Sequence, residues 1–545
     1  MTTLESQMAS QSRWHRVSVA LDGATRAIER HPVRVFTALS LFYVIVVVAL
    51  ACIKMFWFDE FITVYIAKLG SPRAVWDALY NGADPNPPLT HLLVALSIKL
   101  FGTNQLAARL PAIVAEWFGV AFLFAFLRKR VRALYAACGV LFYMATHAFT
   151  YSVEARSYAF TLCFAMASLW AWRRTVEGRR PTRAACFLAL MLALGISSNY
   201  FAVLAFFPIA AGELTRNLLR RKLEFHVWIA MAAGAVPLFL YMPLVNHAIA
   251  IFAPHAWNKP RTDVIELSYT QMMQDIFYPA LALLALAAVV ALAERFSSTR
   301  GWRLAMPAHE LVAVATQMAY PVLGYAIAVA RAGMISPRFV LPMCYGFAIA
   351  TALAGHRLFS RWAFTSLLFL VVCLGYAVTR NSITGYDYQQ QREALYRVRD
   401  SLPATGTIAV SDSLLALPLY YYSPPQIAKR IVFPIDFEAI RRYKKEDSPE
   451  QNLWAGRNLY PIPVLPLWQF QQQTPGYTVI TTGDNWLLST LDEEGTPAHQ
   501  LPIETHSHDL VTFTPLCHDA AHFYEFGDGM ATAETHEQSA EKTQP

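Results

Sequence analysis

Apolar residues in this chain do not alternate with polar ones at the spacing of a soluble helix or strand; they gather into long blocks separated by short polar and basic stretches. A helix needs about 20 mostly apolar residues to cross a bilayer. Blocks of that kind lie near 35–55, 110–127, 133–150, 158–172, 184–198, 200–214, 226–245, 278–294, 310–330, 339–355 and 362–379, and they predict about eleven transmembrane helices. Beyond residue 380 the pattern changes. TIAVSD, RIVFPI, YTVITTG and DLVTFTPL have the short apolar runs of strands, whereas REALYRVRDSL and FEAIRRYKK carry helical periodicity. The expected fold class is a membrane all-α polytopic helical bundle of about 11 transmembrane helices with a small α/β domain after it. Its parts are a polar tail at 1–34, a transmembrane domain at 35–380 with a large loop at 56–108, the α/β domain at 381–528, and a disordered polar tail from 529 to 545.

Composition agrees: 545 residues that are 55 % hydrophobic and only 15 % charged do not make a soluble protein. The net charge of +7 does not point to a nucleic acid, because Arg and Lys sit in short clusters between apolar blocks, where they orient a membrane protein. The N-terminal tail, Arg128-Lys129-Arg130, Arg173 to Arg183, Arg216 to Lys222, Arg295 to Arg303 and His356 to Arg361 all fall on one side of an eleven-span threading, which the positive-inside rule makes the cytoplasm. The first 34 residues are polar and basic, lack the apolar core of a signal peptide, and read as a cytoplasmic tail. Loop 56–108, the turn at Tyr151–Arg156, the turn Ser197-Ser198-Asn199, loop 246–277, the segment Arg331 to Arg338 and the α/β domain fall on the opposite face. Six of the seven cysteines lie in or beside apolar blocks and only Cys517 lies in the soluble part, so no disulfide forms within that domain.

A charged side chain near hydrocarbon costs a few kcal/mol and usually faces a cavity with a function. Asp59 and Glu60 follow directly on the first span in FWFDEF, between aromatic residues. Being adjacent, they diverge around a helix and only one can address a given substrate atom; the plain alternative is a solvated pair at a helix end. NGADPNPPLTHLL places Asp84 and Asn86 in a proline-stiffened turn before an apolar run that holds His91, for which a structural role is the simpler reading. YSVEARSY carries Glu154, Arg156 and Tyr158 in a hairpin turn, where Glu154 and Arg156 also have the option of pairing with each other. Arg109 and Glu116, two helical turns apart, read as a structural ion pair. Lys259 and Arg261 in loop 246–277, with Arg331 and Arg338 before the tenth span, are cations on the face opposite the basic clusters and suit an anionic ligand such as a phosphate. Tyr420-Tyr421-Tyr422, Trp454, Trp468 and Trp486 read chiefly as core of the α/β domain, with stacking on sugars as the alternative.

Taken in order, the DE pair after the first span, PNPPLTHLL, the segment from Phe101-Gly102 to Arg109-Leu110-Pro111-Ala112, EARSY and SNYFAVL resemble the PMT-type GT-C glycosyltransferases, integral-membrane enzymes related to the protein O-mannosyltransferases and to the aminoarabinose transferase of lipid A. The resemblance spans about 35–380 and is best over 56–205. It implies an inverting transfer of sugar from a polyprenyl-phosphate-linked donor to a glycan, lipid or protein acceptor at the outer face of a bacterial cytoplasmic membrane. By the same resemblance Asp59 matches the catalytic loop acid, with Glu60 as its neighbour, and Glu154 the second acidic position. Asp84, Asn86, His91, Arg156, Tyr158, Lys259, Arg261, Arg331 and Arg338 become candidates for substrate binding. Some relatives hold a divalent metal ion near the carrier phosphate, and Asp84 with His255 or His247 would offer its ligands here. Two departures stand out: Asn86-Pro87-Pro88 where many relatives have His-Pro-Pro, and Ala155-Arg156-Ser157-Tyr158 where they have Ala-Arg-Pro-Tyr. The competing function is a transporter or flippase of lipid-linked saccharides, against which stand the large loop and the lack of an internal repeat.

Overall fold

The computed structural model describes residues 16, 18–178, 180–297, 306–482, 485–496, 498–500 and 521–527. The DLVTFTPL strand, Cys517, the tail from 529, most of the first 17 residues and part of the Arg295–Arg303 cluster lie outside the described residues. The chain divides into two compact units, one formed by Met1–Leu50, Arg109–Met242 and Pro260–Thr384, the other by Ala51–Ala108, Pro243–Lys259 and Gly385–Pro545.

The first unit is helical. Among the described residues six helices of the chain are long and apolar enough to cross a membrane, and the number rises to nine when each of three bent pairs counts as one span. The bends are 75° between Ala133–Met144 and His147–Val153, 55° between Phe225–Leu240 and Met242–Phe252, and 59° between Ala308–Met318 and Tyr320–Ala332. Two further predicted blocks, 158–172 and 339–355, coincide with helices Tyr158–Glu177 and Met343–Phe359. The former ends in Arg173, Arg174 and Glu177, and the latter has 17 residues, so neither meets the criterion of length and apolarity.

A break in a spanning helix frees backbone groups that lipid cannot satisfy, so side chains must do it. At the first bend Thr146 Oγ1 donates to the Tyr143 carbonyl at 2.7 Å, and Asn381 Nδ2 donates to the Met144 carbonyl at 2.9 Å. Buried charges are paired in the same way. Glu310, wholly buried, receives Arg130 at 2.5 Å, and Glu213, wholly buried, receives Arg216 at 2.7 Å and the Trp172 indole at 3.0 Å. Glu116 accepts the hydroxyls of Tyr143 and Tyr345, each at 2.6 Å, and so ties helix Gln105–Leu127 to Ala133–Met144 and Met343–Phe359. Those hydroxyls make Glu116 a junction of three helices, a role richer than the ion pair with Arg109 read from spacing.

The second unit holds a six-stranded sheet in the order β3-β2-β1-β4-β6-β5, where β1 is Thr407–Val410, β2 Ile431–Ile435, β3 Val464–Pro466, β4 Gly476–Thr482, β5 Ala498–Gln500 and β6 Ala521–Gly527. β1 to β4 pair in parallel and β6 joins antiparallel to both β4 and β5. The expected strands at TIAVSD, RIVFPI and YTVITTG are β1, β2 and β4, and FEAIRRYKK forms helix Phe437–Tyr443. REALYRVRDSL is the end of a 38-residue helix, Ala363–Asp400, continuous with the last apolar block. Trp486 is core, with its indole donating to the Ser411 carbonyl at 3.3 Å, whereas Trp468 is 63 % exposed. The six cysteines among the described residues are all free.

Candidate functional site

In the second unit, loop 56–108 is built of three helices: Phe58–Ala67, Pro72–Tyr80 and Leu89–Phe101. Asp59 and Glu60 occupy the first turn of Phe58–Ala67, where peptide dipoles favour anions. Their environments differ. Glu60 is wholly buried and its Oε2 accepts the Trp57 backbone N–H at 3.4 Å, which caps the helix. Asp59 is half-buried.

Asp84, Asn86 and His91 form one buried network. Asp84 Oδ1 accepts the backbone N–H of Asn86 at 3.0 Å and its side-chain amide at 2.7 Å, while Oδ2 lies 3.2 Å from His91 Nε2. Asp84 is 2 % and His91 1 % exposed. The Pro87-Pro88 pair sets the start of helix Leu89–Phe101 and so fixes the turn that lets residues 84 and 91 meet. Gly82, at φ +86°, makes that turn possible; a Cβ there would meet Ile251 Cδ1 at 2.9 Å. His247 stacks on Tyr80 with ring centroids 4.6 Å apart. His255 accepts the Asp447 backbone N–H at 3.1 Å through its carbonyl.

Among the described residues no group of three or more His, Cys, Asp and Glu side chains stands together as a metal site. Asp84 meets Asn86 and His91 through its two oxygens. No step below runs through a metal.

The same unit contains a small cleft that the sequence did not announce. Phe56, Phe61, Val64, Ile98 and Ala108 form its buried floor, and Tyr65, Lys68, Thr103, Asn104 and Tyr421 its rim. Tyr421 packs on Phe61 with centroids 5.1 Å apart, and the Lys68 ammonium lies 4.5 Å over the Tyr65 ring. Burial, with Tyr421 and Tyr420 nearby, pushes the Tyr65 phenol up to about 12. Burial also pulls the Lys68 ammonium below its usual pKa. The tyrosine triplet, read mainly as domain core, therefore serves the first loop.

In the first unit, Glu154, Arg156, Ser157 and Tyr158 are all buried in the YSVEARSY turn, which follows the 3-10 turn His147–Val153. Asn199 organises it: Nδ2 donates to Ser157 Oγ at 3.0 Å and Oδ1 accepts the Phe201 N–H at 2.9 Å. Arg338 stacks over Tyr158 at 5.7 Å, and Phe339 on Phe201 at 4.7 Å. Three stretches far apart in sequence, 151–158, 197–201 and 337–339, thereby meet. The remaining candidate cations are more peripheral. Arg331 and Lys259 are exposed, and Arg261 pairs with Asp263 at 3.0 Å on the surface. Asn199 and Ser157 were missed as site residues, although SNYF and EARSY both stood in the ordered motif set.

Residues 85–247 match the family model described as dolichyl-phosphate-mannose-protein mannosyltransferase. Two solved structures of ArnT from Cupriavidus metallidurans are similar to the chain at 12 % identity, covering 90 % of it and 97 % of their own length: the apo state with a TM-score of 0.57, and the state bound to undecaprenyl phosphate with a TM-score of 0.53. No curated protein sequence matches. The chain thus shares the fold of these ArnT structures, and the mannosyltransferase family match takes in Asn86, His91 and the Glu154 turn.

Proposed function

We propose that this protein is an inverting glycosyltransferase that moves a sugar from a polyprenyl-phosphate carrier to an acceptor on the extracytoplasmic face of a bacterial cytoplasmic membrane. The observation that carries the reading is the place of FWFDEF: Asp59 stands half-buried in the first turn of Phe58–Ala67, directly after the first apolar helix, beside a wholly buried Glu60 whose side chain caps that turn. The fold it sits in is that of ArnT, one structure of which is described as bound to undecaprenyl phosphate. The mannosyltransferase family match adds to it.

In this reading the acceptor oxygen attacks the anomeric carbon as the bond from that carbon to the phosphate oxygen breaks. The bonding pair leaves with the phosphate, and Asp59 takes the proton of the acceptor hydroxyl. Charge grows on the leaving phosphate, so cations must be waiting there. Arg156, Lys259, Arg331 and Arg338 are the candidates for that role, and Arg338 stacks over Tyr158. Glu154 and the Asp84–Asn86–His91 network position donor and acceptor. The basic clusters support a cytoplasmic N-terminus and a sheet on the outer face.

The test is a mass-spectrometric comparison of envelope glycans and lipids from wild type, a deletion strain, and the deletion strain carrying Asp59→Asn. A modified species lost on deletion and not restored by a correctly inserted Asp59→Asn variant supports the reading. Full restoration removes Asp59 as the base.

A further inference from the structure

The stretch leading into the first span is divided lengthwise. Residues 18–30 are helical, and after His31 the chain enters helix Pro32–Ile53. Leu21, Thr25, Ile28, Glu29 and Pro32 are half-buried and recur at i, i+4, i+7, i+8 and i+11, the spacing of one helix face. Arg26, Arg30 and Arg34 stand four residues apart on the other side, and all three are exposed. The basic charge that orients a membrane protein is gathered here into a stripe.

An acid at the edge of the half-buried face fixes how the helix is rolled. Glu29 accepts the backbone N–H of Ala133 at 2.7 Å and that of Leu134 at 3.1 Å. Those two groups open helix Ala133–Met144, whose N-cap, Arg132, makes no side-chain bond to it. Glu29 also lies 4.0 Å from Arg128, so its charge is engaged away from the stripe. Asp22 is the other acid of the helix, and Arg26 Nε donates to its backbone carbonyl at 3.1 Å. Among the described residues none of the three arginines is held in an ion pair.

The level of the stripe relative to the bilayer follows from the span. Pro32–Ile53 is apolar and long enough to cross, and Arg34 stands in its first turn, where hydrocarbon gives way to headgroups. At the rise of a helix, Arg30 and Arg26 lie about 6 and 12 Å further along the axis. Surface charge is felt over a screening length of about 8 Å at physiological salt. Arg34 and Arg30 are therefore within reach of lipid phosphate, and Arg26 is at the limit. A guanidinium presents its donors in a fork that matches phosphate oxygens.

We infer that Arg34, Arg30 and Arg26, in that order of strength, bind the phosphate groups of anionic phospholipids in the leaflet at this end of the first span. A soluble acidic partner would meet them in the reverse order, reaching Arg26 first. The inference rests on the spanning reading of Pro32–Ile53 and is independent of the proposed transfer reaction.

The test uses the full-length protein in vesicles of equal parts phosphatidylglycerol and phosphatidylcholine, with a photoactivated benzophenone side chain in place of Val33. Val33 is 76 % exposed and three residues from Arg30, so its adducts report what covers this face. Mass spectrometry should find phosphatidylglycerol adducts in excess by about fivefold or more, with the excess falling toward parity in high salt. Arg34→Gln should cut the excess by about fivefold, the worth of one cation near an anionic surface, whereas Arg30→Gln should cut it less and Arg26→Gln least. Arg34→Lys should keep most of it. Because these side chains are exposed, the unfolding temperature of each variant should match wild type. Equal adducts of the two lipids, or an excess indifferent to Arg34, overturns the proposal. So do adducts to protein in place of lipid, which give this face to a second copy or another chain, and so does a loss that is greatest for Arg26→Gln.

Discussion

The hydroxyl of Tyr422 accepts the backbone N–H of Phe56 at 2.7 Å, across 366 residues of sequence. The side-chain amide of Gln105 donates to the same oxygen, so one phenol near the end of helix Ser413–Tyr422 gathers both ends of loop 56–108. Tyr422→Phe removes the acceptor and keeps the ring. The expected cost is about 1 kcal/mol, the usual loss for a part-buried hydrogen bond. Hydrogen exchange should show faster amides at 56–61 and little change in the sheet.

The two acids of FWFDEF should separate in mutagenesis. Asp59→Asn is expected to abolish transfer with an unchanged unfolding temperature. Glu60→Leu removes the cap of Trp57 and should lower stability by about 1 kcal/mol while leaving measurable transfer. Equal loss of activity in both variants at equal stability would show that they act as a pair.

Asp84 and His91 are predicted to be energetically coupled. In a double-mutant cycle of Asp84→Ala and His91→Ala, the coupling energy should fall at about 1–3 kcal/mol, because each is the buried partner of the other at 3.2 Å. A value near zero in thermal or denaturant unfolding would show that the two side chains do not support each other.

How much of this was legible beforehand depends on distance along the chain. The apolar blocks, the DE pair and the turn before His91 are local patterns, and lipid enforces them by forbidding charge where no partner exists. Asp84 and His91 stand seven residues apart in a proline-stiffened turn and were singled out together. Glu116 was read with Arg109, its neighbour on the same helix, because spacing is all that a sequence offers; Tyr345, 229 residues on, has no local mark. The tyrosine triplet was taken for core for the same reason. The bends were not legible, because apolarity reports solubility in lipid and says nothing of a 75° break in a helix.

Asn199 should act through the turn it holds. Asn199→Ala loses the bond to Ser157 and the cap on Phe201, two contacts worth about 1 kcal/mol each. Transfer should fall severalfold. Asn199→Asp, which keeps the cap and loses the donor, should fall between the alanine variant and wild type.

A pH effect is expected at Glu224, which lies outside the apolar helices. Its hydrogen bond and ion pair with Arg216, at 2.6 Å, hold the carboxyl below its usual value. A depressed folded pKa stabilises the fold above the unfolded carboxylate range, and that stability drains away as pH falls through the folded value. Unfolding temperature measured from neutral pH into the acid range should drop in wild type, and Glu224→Gln should show a shallower decline and a lower starting point.

The bend after Met144 also sets an order of events during synthesis. The carbonyl that the bend frees is satisfied by Asn381, encoded 237 residues later, near the end of the last apolar block. Until that block has been made and inserted, the Met144 carbonyl waits without this partner. A nascent chain halted before residue 381 would carry the bend still missing this bond, whereas one halted within the sheet would have it complete. The bend is thus completed late, after nearly all of the first unit has been made.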